Sequence, residues 1–337
     1  MAHSNISIFV PHVGCPHMCA FCNQRTITGV QKIPQAEDVR RVCTQALTEI
    51  SDYENTEIAF FGGSFTAIPR DYMLELLQSA SEFVGKGKFR GIRISTRPDC
   101  IDNEVLELLK SYGVTAVELG AQSMCNKVLE ANDRGHTAED VCKASELIKE
   151  YGFELGLQMM VGLYKSTLQD ELETMESIID IAPKTVRIYP VAVLKNTQLA
   201  ELYEAGEYEL MPFYEVVSLC AEMLSAFYQA GIEVIRCGLH SSETVESDVI
   251  AGYYHPAFKE ICLSELYRNA IVKFTKQGEK EVIYVSKNGV SPAIGHKKSN
   301  KIYFEKNNYN IEIKQAESLL KDEIRIKRGV LNVFKIT

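Results

Sequence analysis

The sequence lacks the apolar runs that membrane-spanning and secreted proteins need. No apolar run approaches the ~20 residues of a membrane span, and residues 1–11 have neither the charged start nor the long apolar stretch of a signal peptide. Long-period repeats and low-complexity linkers are also missing. A content of 46% hydrophobic and 24% charged residues excludes intrinsic disorder as the general state of the chain. These features predict a globular cytoplasmic protein with no membrane partner.

A net positive charge is missing as well, since 36 Lys and Arg stand against 45 Asp and Glu, a net charge of -9. That balance argues against a nucleic-acid partner. The charge is unevenly distributed, however, because residues 271–337 hold 14 Lys and Arg against 7 Asp and Glu. A basic segment beside an acidic one is typical of a phosphate-backbone contact, and equally of the solvated surface of a helix and hairpin.

Short β-branched or aromatic runs alternate with longer amphipathic runs up to about residue 233. Six strands are predicted, at residues 6–10, 57–61, 91–95, 116–119, 155–160 and 185–189. Six helices are predicted, at residues 36–50, 72–84, 103–111, 138–151, 168–181 and 213–229. This alternation predicts an α/β fold with a parallel sheet, either a curled barrel or an open doubly wound sheet. In both folds the carboxyl ends of the strands line the ligand site.

Ten cysteines in a cytosolic chain are expected to be reduced, so the informative ones are those spaced to hold a metal. Cys15, Cys19 and Cys22 follow the first predicted strand, with three and then two residues between them. Thiolates at this spacing can bind one face of an iron-sulfur cluster and leave one iron open. The alternative is a zinc site whose fourth ligand is a distant residue such as His12 or His17. The other cysteines show no tight pair, which predicts a single cluster.

Motifs that resemble one enzyme superfamily follow the predicted strands in order. Phe21 directly precedes the third cysteine of the triad, and Phe-Gly-Gly-Ser-Phe-Thr at 61–66 follows the second strand. Together with the cysteines they resemble the radical S-adenosylmethionine (SAM) superfamily. Over most of residues 5–235 the chain looks like the Elongator catalytic-subunit subgroup. The motifs that carry this resemblance are Ser-Thr-Arg-Pro-Asp at 95–99, Val-Glu-Leu-Gly-Ala-Gln-Ser at 117–123, Asn-Asp-Arg-Gly-His-Thr at 132–137, Gln-Met-Met at 158–160 and Arg-Ile-Tyr-Pro at 187–190.

The resemblance implies a partial barrel of six βα units, a [4Fe-4S] cluster on the three cysteines, and SAM chelated by the open iron. It implies reductive cleavage of SAM to methionine and a 5′-deoxyadenosyl radical, with an electron donor such as flavodoxin or ferredoxin as a partner. The residues that it marks for cofactor binding are Phe21, Gly62, Gly63, Ser64, Ser95, Arg97, Gln122 and Arg134. The backbone at 62–64 would hold the methionine amino group, because glycine permits close approach. The acetyltransferase domain of the Elongator subunit is not expected here, since the residues after the barrel are too few and of the wrong pattern.

The roles of three side chains have two possible interpretations each. The Arg97 guanidinium suits the carboxylate or ribose of SAM, and equally suits a pair with Asp99 that steadies a turn. Tyr189 and His240 are the candidates for catalytic contact with substrate. Their alternatives are an aromatic residue packed under a loop at the barrel rim and a structural histidine.

Three domains are predicted: a radical SAM partial barrel at 1–235, an irregular segment at 236–270 that closes the barrel mouth, and a small basic C-terminal α+β module at 271–337. Residues 293–300, with the helix and strand that follow, are similar to the helix-loop-helix-strand of KH domains, whose Gly-x-x-Gly loop clamps nucleic-acid backbone. Gly295 matches that loop, and Lys298 stands in place of its second glycine.

Three functions are compatible with these features. The first is a radical SAM transferase that modifies RNA, with tRNA bound through the basic module. The second is a radical SAM enzyme that acts on a small molecule such as a porphyrin, or on a peptide. The third is a non-catalytic, metal-containing RNA-binding protein, which is disfavoured because a structural metal site has no use for a Gly-Gly SAM loop.

Overall fold

The computed structural model describes residues 4–11, 13, 15, 18–29, 32–326 and 329–335. The two histidines suggested as zinc ligands, His12 and His17, lie outside this part of the chain. The chain forms two compact units. The first comprises Met1–Arg187, Val191–Glu209 and Ser241–Gly252, and the second comprises Ile188–Pro190, Leu210–His240 and Tyr253–Thr337. Within the described ranges, no helix is both long and apolar enough to span a membrane.

The strands, in chain order, are β1 (Ser4–Val10), β2 (Thr56–Gly62), β3 (Gly91–Thr96), β4 (Val114–Gln122), β5 (Glu154–Val161), β6 (Thr185–Pro190), β7 (Ala192–Leu194), β8 (Glu233–Cys237), β9 (Val249–Gly252), β10 (Lys280–Val285), β11 (Asn310–Gln315), β12 (Glu323–Ile326) and β13 (Gly329–Asn332). The helices are α1 (Gln24–Thr28), α2 (Ala36–Glu49), α3 (Arg70–Ser81), α4 (Asn103–Ser111), α5 (Asn126–Ala131), α6 (Ala138–Glu150), α7 (Leu168–Ile181), α8 (Gln198–Glu204), α9 (Phe213–Gln229), α10 (Glu243–Asp248), α11 (Phe258–Phe274), α12 (Val290–Ile294) and α13 (Ser299–Lys306).

The main sheet has the order β1-β2-β3-β4-β5-β6-β8 and curls into a partial barrel. Its first five strands pair in parallel, each with the next in sequence. Buried side chains predominate in β2 to β4, as expected for strands of a parallel sheet covered on both faces. The predicted α/β half-barrel is therefore confirmed, and the carboxyl ends of its strands share one edge.

Local sequence signals set the ends of the helices that cover this sheet. Thr137 and Thr167 cap α6 and α7, and each exchanges hydrogen bonds with an aspartate three residues later in a capping box. Asp102 caps α4 by accepting a hydrogen bond from the Val105 amide. These caps direct the chain back along the outside of the sheet, so that each following strand starts at the same edge.

The segment predicted to be irregular, 236–270, contains α10, β9 and most of α11. The long helix α11 escaped prediction because it buries residues around much of its circumference, among them Phe258, Cys262 and Tyr267. A helix of this kind has no clear apolar stripe to mark its period. Closure of the barrel mouth by this segment stays a prediction.

The second unit contains its own sheet, in the order β11-β10-β12-β13. Strands β10 and β11 run parallel and are connected through α12 and α13. Residues 295–298 join these two helices, in the place where the sequence predicts a loop like that of KH domains. The tight turn at this junction includes two lysines with positive φ, Lys297 at 50° and Lys298 at 65°.

Candidate active site

The cysteine triad lies in the segment that leaves β1. Cys15, Cys19 and Cys22 are each half-buried, and all ten cysteines of the chain lie within the described residues and outside any disulfide. Burial raises the pKa of Cys22 to about 12, with further contributions from the nearby thiols of Cys19 and Cys15. The three sulfurs therefore lie close enough to interact. A metal that binds here must displace protons from the thiols, as thiolate ligation always requires.

Backbone hydrogen bonds shape this cysteine segment from both sides. The Cys22 amide donates to the Cys19 carbonyl at 3.0 Å, which makes a tight turn between two proposed ligands. The Ala20 amide donates to the Asn132 carbonyl at 3.1 Å, and the Ala20 carbonyl accepts from the Leu199 amide at 2.8 Å. The triad is thus held by segments far away in the sequence.

The glycines after β2 permit a close approach of two backbone segments. A Cβ atom on Gly62 would lie 2.9 Å from the carbonyl oxygen of Val10, and one on Gly63 would lie 2.7 Å from that of Val13. Gly62 also has a φ of 113°, a backbone conformation that residues with a Cβ atom rarely adopt. Only glycine at both positions lets the end of β2 lie against the start of the cysteine segment.

Ser64 is buried and joins the end of β2 to the end of β3. Its hydroxyl lies 2.9 Å from the Thr96 hydroxyl and accepts a hydrogen bond from the Arg97 amide at 3.2 Å. Thr66 adds a second contact, 2.6 Å between its hydroxyl and that of Thr96. Thr96 was missed as a site residue, although it stands inside the Ser95–Arg97 part of a quoted motif. Ser95 itself is half-buried.

The Arg97 guanidinium forms a fork with the Asp99 carboxylate, with both nitrogen-oxygen distances 2.8 Å. One of its nitrogens also donates to the Arg134 carbonyl at 2.6 Å. The structure thus contains the Arg97–Asp99 pair that was one of the two alternatives. A contact of Arg97 with SAM stays a prediction.

Arg134 brings a buried positive charge to the triad. One terminal nitrogen donates to the Cys19 sulfur at 3.0 Å, and the other donates to the Gly120 carbonyl at 2.6 Å. The residue is 6% exposed, and its Nε has no hydrogen-bond partner within the described residues. A buried donor without a partner is costly and indicates room for a further acceptor.

Two more polar residues lie next to Arg134 in space or in sequence. Gln122 is buried at the end of β4 with a φ of 67°, and its side-chain oxygen accepts from Gln158 at 3.3 Å. His136 is buried, and its Nε2 lies 3.2 Å from the Ala121 carbonyl oxygen. Burial, followed by the charge of Arg134, lowers the pKa of His136 to about 4, so this side chain is neutral near pH 7.

The remaining predicted site residues are Phe21, Tyr189 and His240. Phe21 is buried within the cysteine segment. Tyr189 is a half-buried residue of β6, and His240 is a half-buried residue that follows β8. Both belong to the second compact unit, whereas the triad belongs to the first. Their catalytic roles stay predictions.

A second group of cysteines was not expected from their spacing. In the second unit, the pKa of the Cys237 thiol is lowered by the neighbouring thiols of Cys220 in α9 and Cys262 in α11. All three are buried. Their wide separation in the sequence gave no signal that the fold would bring them together.

The residues of the triad site fit a [4Fe-4S] cluster and SAM. Three soft thiolate donors match iron-sulfur ligation and leave one iron for another ligand. The unsatisfied Nε of Arg134 and the glycine-lined end of β2 provide a donor and a close backbone approach beside them.

Comparison with known proteins identifies the family of this chain. The family model of the radical SAM superfamily matches residues 9–178, and that of the radical SAM C-terminal domain matches residues 183–268. The chain is 28% identical over 246 residues to the tRNA uridine(34) acetyltransferase of Methanocaldococcus infernus, covering 60% of this chain and 46% of that protein. It is 31% identical over 193 residues to human Elongator complex protein 3, covering 51% of this chain and 35% of that protein. It thus spans less than half the length of these two relatives.

Structural comparison agrees on the fold. The solved structure of the archaeal Methanocaldococcus infernus Elp3 with an N-terminal deletion superposes with a TM-score of 0.63 at 20% identity, covering 79% of this chain and 63% of that one. The predicted resemblance to the Elongator catalytic subunit is confirmed by these relatives. The chain belongs to the radical SAM superfamily, whose members are enzymes that use a [4Fe-4S] cluster and SAM.

Proposed function

We propose that this protein cleaves SAM reductively at a [4Fe-4S] cluster and uses the product to modify RNA, with tRNA as the substrate. The observation that carries the chemistry is the convergence of Cys15, Cys19 and Cys22 with the Arg134 guanidinium and the glycine-lined end of β2. A structural metal site has no need of a charged donor with an unsatisfied nitrogen beside it.

The residues of this chain would hold the cluster and SAM and exclude water from them. Cys15, Cys19 and Cys22 would hold the cluster, and the backbone at 62–64 would hold the methionine part of SAM. When bound, the cluster and SAM supply a one-electron cleavage that yields methionine and a 5′-deoxyadenosyl radical. The protein orients both groups and excludes water from them.

Several buried side chains contribute to that orientation. The Arg97–Asp99 fork fixes the end of β3, and Ser64 ties it to the end of β2. We assign Phe21, Ser95, Arg97, Gln122 and Arg134 to the walls of the SAM site, Tyr189 and His240 to substrate contact, and the supply of electrons to a flavodoxin or ferredoxin.

The case for RNA depends on the second unit and on the relatives. The two tRNA-modifying relatives found in Methanocaldococcus species are named for acetylation of uridine(34). In this chain, residues 271–337 carry twice as many basic as acidic side chains. A segment of this charge attracts a phosphate backbone.

The turn at 295–298 holds two of these basic side chains in a fixed backbone conformation. Lys297 and Lys298 are exposed, yet both hold left-handed backbone conformations that cost of order 1 kcal/mol or more each in ordinary residues. Asn300 fixes the turn by donating to the carbonyls of Ser264 at 2.7 Å and Pro292 at 3.0 Å. Backbone strain of this kind, held in place by buried hydrogen bonds, is typical of a functional loop.

The test measures 5′-deoxyadenosine formation and tRNA binding by the full chain after anaerobic reconstitution. The proposal expects SAM cleavage under dithionite, stimulated by tRNA. The double variant Lys297→Ala/Lys298→Ala should weaken tRNA binding and reduce the salt slope of log affinity by about 2. The control is Lys276→Ala/Lys280→Ala, which removes the same charge from exposed positions elsewhere in this basic segment.

The outcomes separate the alternatives. If SAM cleavage is present but tRNA neither binds nor stimulates it, the RNA substrate is wrong and a small molecule or peptide takes its place. If tRNA binds and no 5′-deoxyadenosine forms with the cysteines intact, the protein is an RNA-binding protein without turnover.

A further inference from the structure

The Arg134 guanidinium, assigned above to the wall of the SAM site, also contacts one of the proposed iron ligands directly. One of its terminal nitrogens lies 3.0 Å from the sulfur of Cys19, one of the three proposed iron ligands. A second donor of the same group is satisfied by the Gly120 carbonyl at 2.6 Å. The charged fork therefore points at a ligand sulfur with its orientation fixed by β4.

The backbone of Arg134 is held equally firmly. Its amide donates to the Leu129 carbonyl at 3.1 Å, and its carbonyl accepts from Arg97 at 2.6 Å. Arg97 is in turn held by Asp99. Arg134 thus cannot swing away from Cys19 without breaking contacts at both ends of the residue.

The positive charge of Arg134 also lacks a carboxylate partner. Within the described residues it forms no ion pair with an Asp or Glu, and 6% of the residue is exposed. Buried cations are nearly always paired with an anion. Since the group that faces this guanidinium is a cysteine sulfur, the partner that its placement fits is a thiolate, which is the metal-binding form of cysteine.

We propose that Arg134 is a positioning residue that raises the reduction potential of the cluster through its hydrogen bond to the Cys19 thiolate. This inference rests on the proposed function, because it needs an iron-sulfur cluster on the triad. Reduction adds one negative charge to the cluster and its ligands. A fixed cation and a hydrogen bond at a ligand sulfur stabilise the more negative state, so they make the potential less negative.

The test is a potentiometric titration of the reconstituted full chain, followed by the electron paramagnetic resonance signal of the reduced cluster. Arg134→Gln removes the charge and should lower the equilibrium constant for reduction at least tenfold, about 59 mV toward negative potential for a one-electron couple. Arg134→Lys keeps the charge but places it on one nitrogen of a shorter side chain, in place of the two guanidinium nitrogens that contact Cys19 and Gly120, so a weaker hydrogen bond to Cys19 and a smaller shift in the same direction are expected. The control is Arg70→Gln, which removes an arginine that pairs with Glu104 on the surface of the same unit.

Each outcome decides the proposal. An unchanged potential in Arg134→Gln with full iron content overturns it. If that variant does not retain iron, the titration of Arg134→Lys decides, and a wild-type potential there overturns the proposal. Wild-type protein that forms no cluster contradicts the proposed function and this inference together. A wild-type cluster whose potential is insensitive to residue 134 contradicts only the role of Arg134.

Discussion

Two regions of the first unit contain buried charged side chains, and they differ in whether each charge has an oppositely charged partner. Toward the amino ends of the strands, Arg93 donates to Glu57 at 2.7 Å and to Glu118 at 3.2 Å, and lies 3.5 Å from Glu154. Glu118 also pairs with Arg187 at 2.7 Å. Each of these charged groups has an oppositely charged partner within the unit.

At the carboxyl ends of the same strands Arg97 pairs with Asp99, but the neighbouring charge of Arg134 is not neutralised by any carboxylate of the described residues. Arg134 has no carboxylate partner within the described residues, and its Nε is unsatisfied there. The sulfur that faces it is that of Cys19, and burial raises the pKa of the neighbouring Cys22 thiol. The difference indicates that the paired region stabilises the barrel, whereas the unpaired region is built to be completed by a ligand.

The largest effect is expected from removing a member of the triad. Cys19→Ala should abolish cluster binding and SAM cleavage, because two thiolates cannot hold a cluster that needs three. The matched control is Cys142→Ala, which removes an exposed thiol on α6. Iron and sulfide content after anaerobic reconstitution checks this. Full iron content in Cys19→Ala would show that iron binding does not depend on this triad. It would therefore contradict the distinction between a paired region and a ligand-binding region.

The next largest effect concerns the paired region. Arg93→Leu leaves Glu57 and Glu118 as buried carboxylates without their shared cation, and we expect the free energy of unfolding to fall by about 3–5 kcal/mol. Arg70→Leu breaks the exposed Arg70–Glu104 pair and should cost less than about 1 kcal/mol. Urea denaturation followed by circular dichroism compares the two. Equal losses would mean that the buried network adds no stability beyond a surface pair.

A smaller effect is expected in the pH dependence of stability, through His136 near the unpaired region. The pKa of His136 is lowered from near 6.5 to about 4, so the folded protein keeps this side chain neutral while the unfolded chain takes up a proton. The stability that His136 contributes is fully present above about pH 6.5. It is lost as the pH falls toward about 4, and the loss reaches about 3 kcal/mol.

Urea denaturation across this range checks that prediction. His136→Gln should remove that part of the pH dependence, since glutamine does not titrate. If wild type and variant lose stability in parallel between about pH 6.5 and about pH 4, another group accounts for the slope.

Most of the sheet and its helices could be predicted because their signals are local. The six strands and six helices predicted from periodicity all occur, with ends displaced by at most three residues. Alternation and helical spacing report burial of one face, which most of these elements have. Several short elements and the long helix α11 were not predicted, and in α11 burial around several faces hides the period.

The site could be predicted only in its parts. The residue types and the spacing of the triad were sufficient to propose the cysteines as ligands, because three ligands from one short segment need no tertiary information. The contact of Arg134 with Cys19 spans 115 residues, and no pattern in the sequence indicates it. Arg97 lies between these cases: its pair with Asp99 is local and was one of two alternatives, and the sequence alone gave no means of choosing between the pair and a ligand contact.

The hydrogen bonds of Ala20 have a consequence for the order in which the enzyme matures. Ala20 lies between two proposed ligands and is bonded to Asn132 on one side and Leu199 on the other. The cysteines are synthesised early, but the hydrogen bonds that hold their segment can form only after Asn132 and Leu199 have been synthesised. Iron delivery should therefore follow folding of this unit, unlike zinc fingers, in which the metal drives folding.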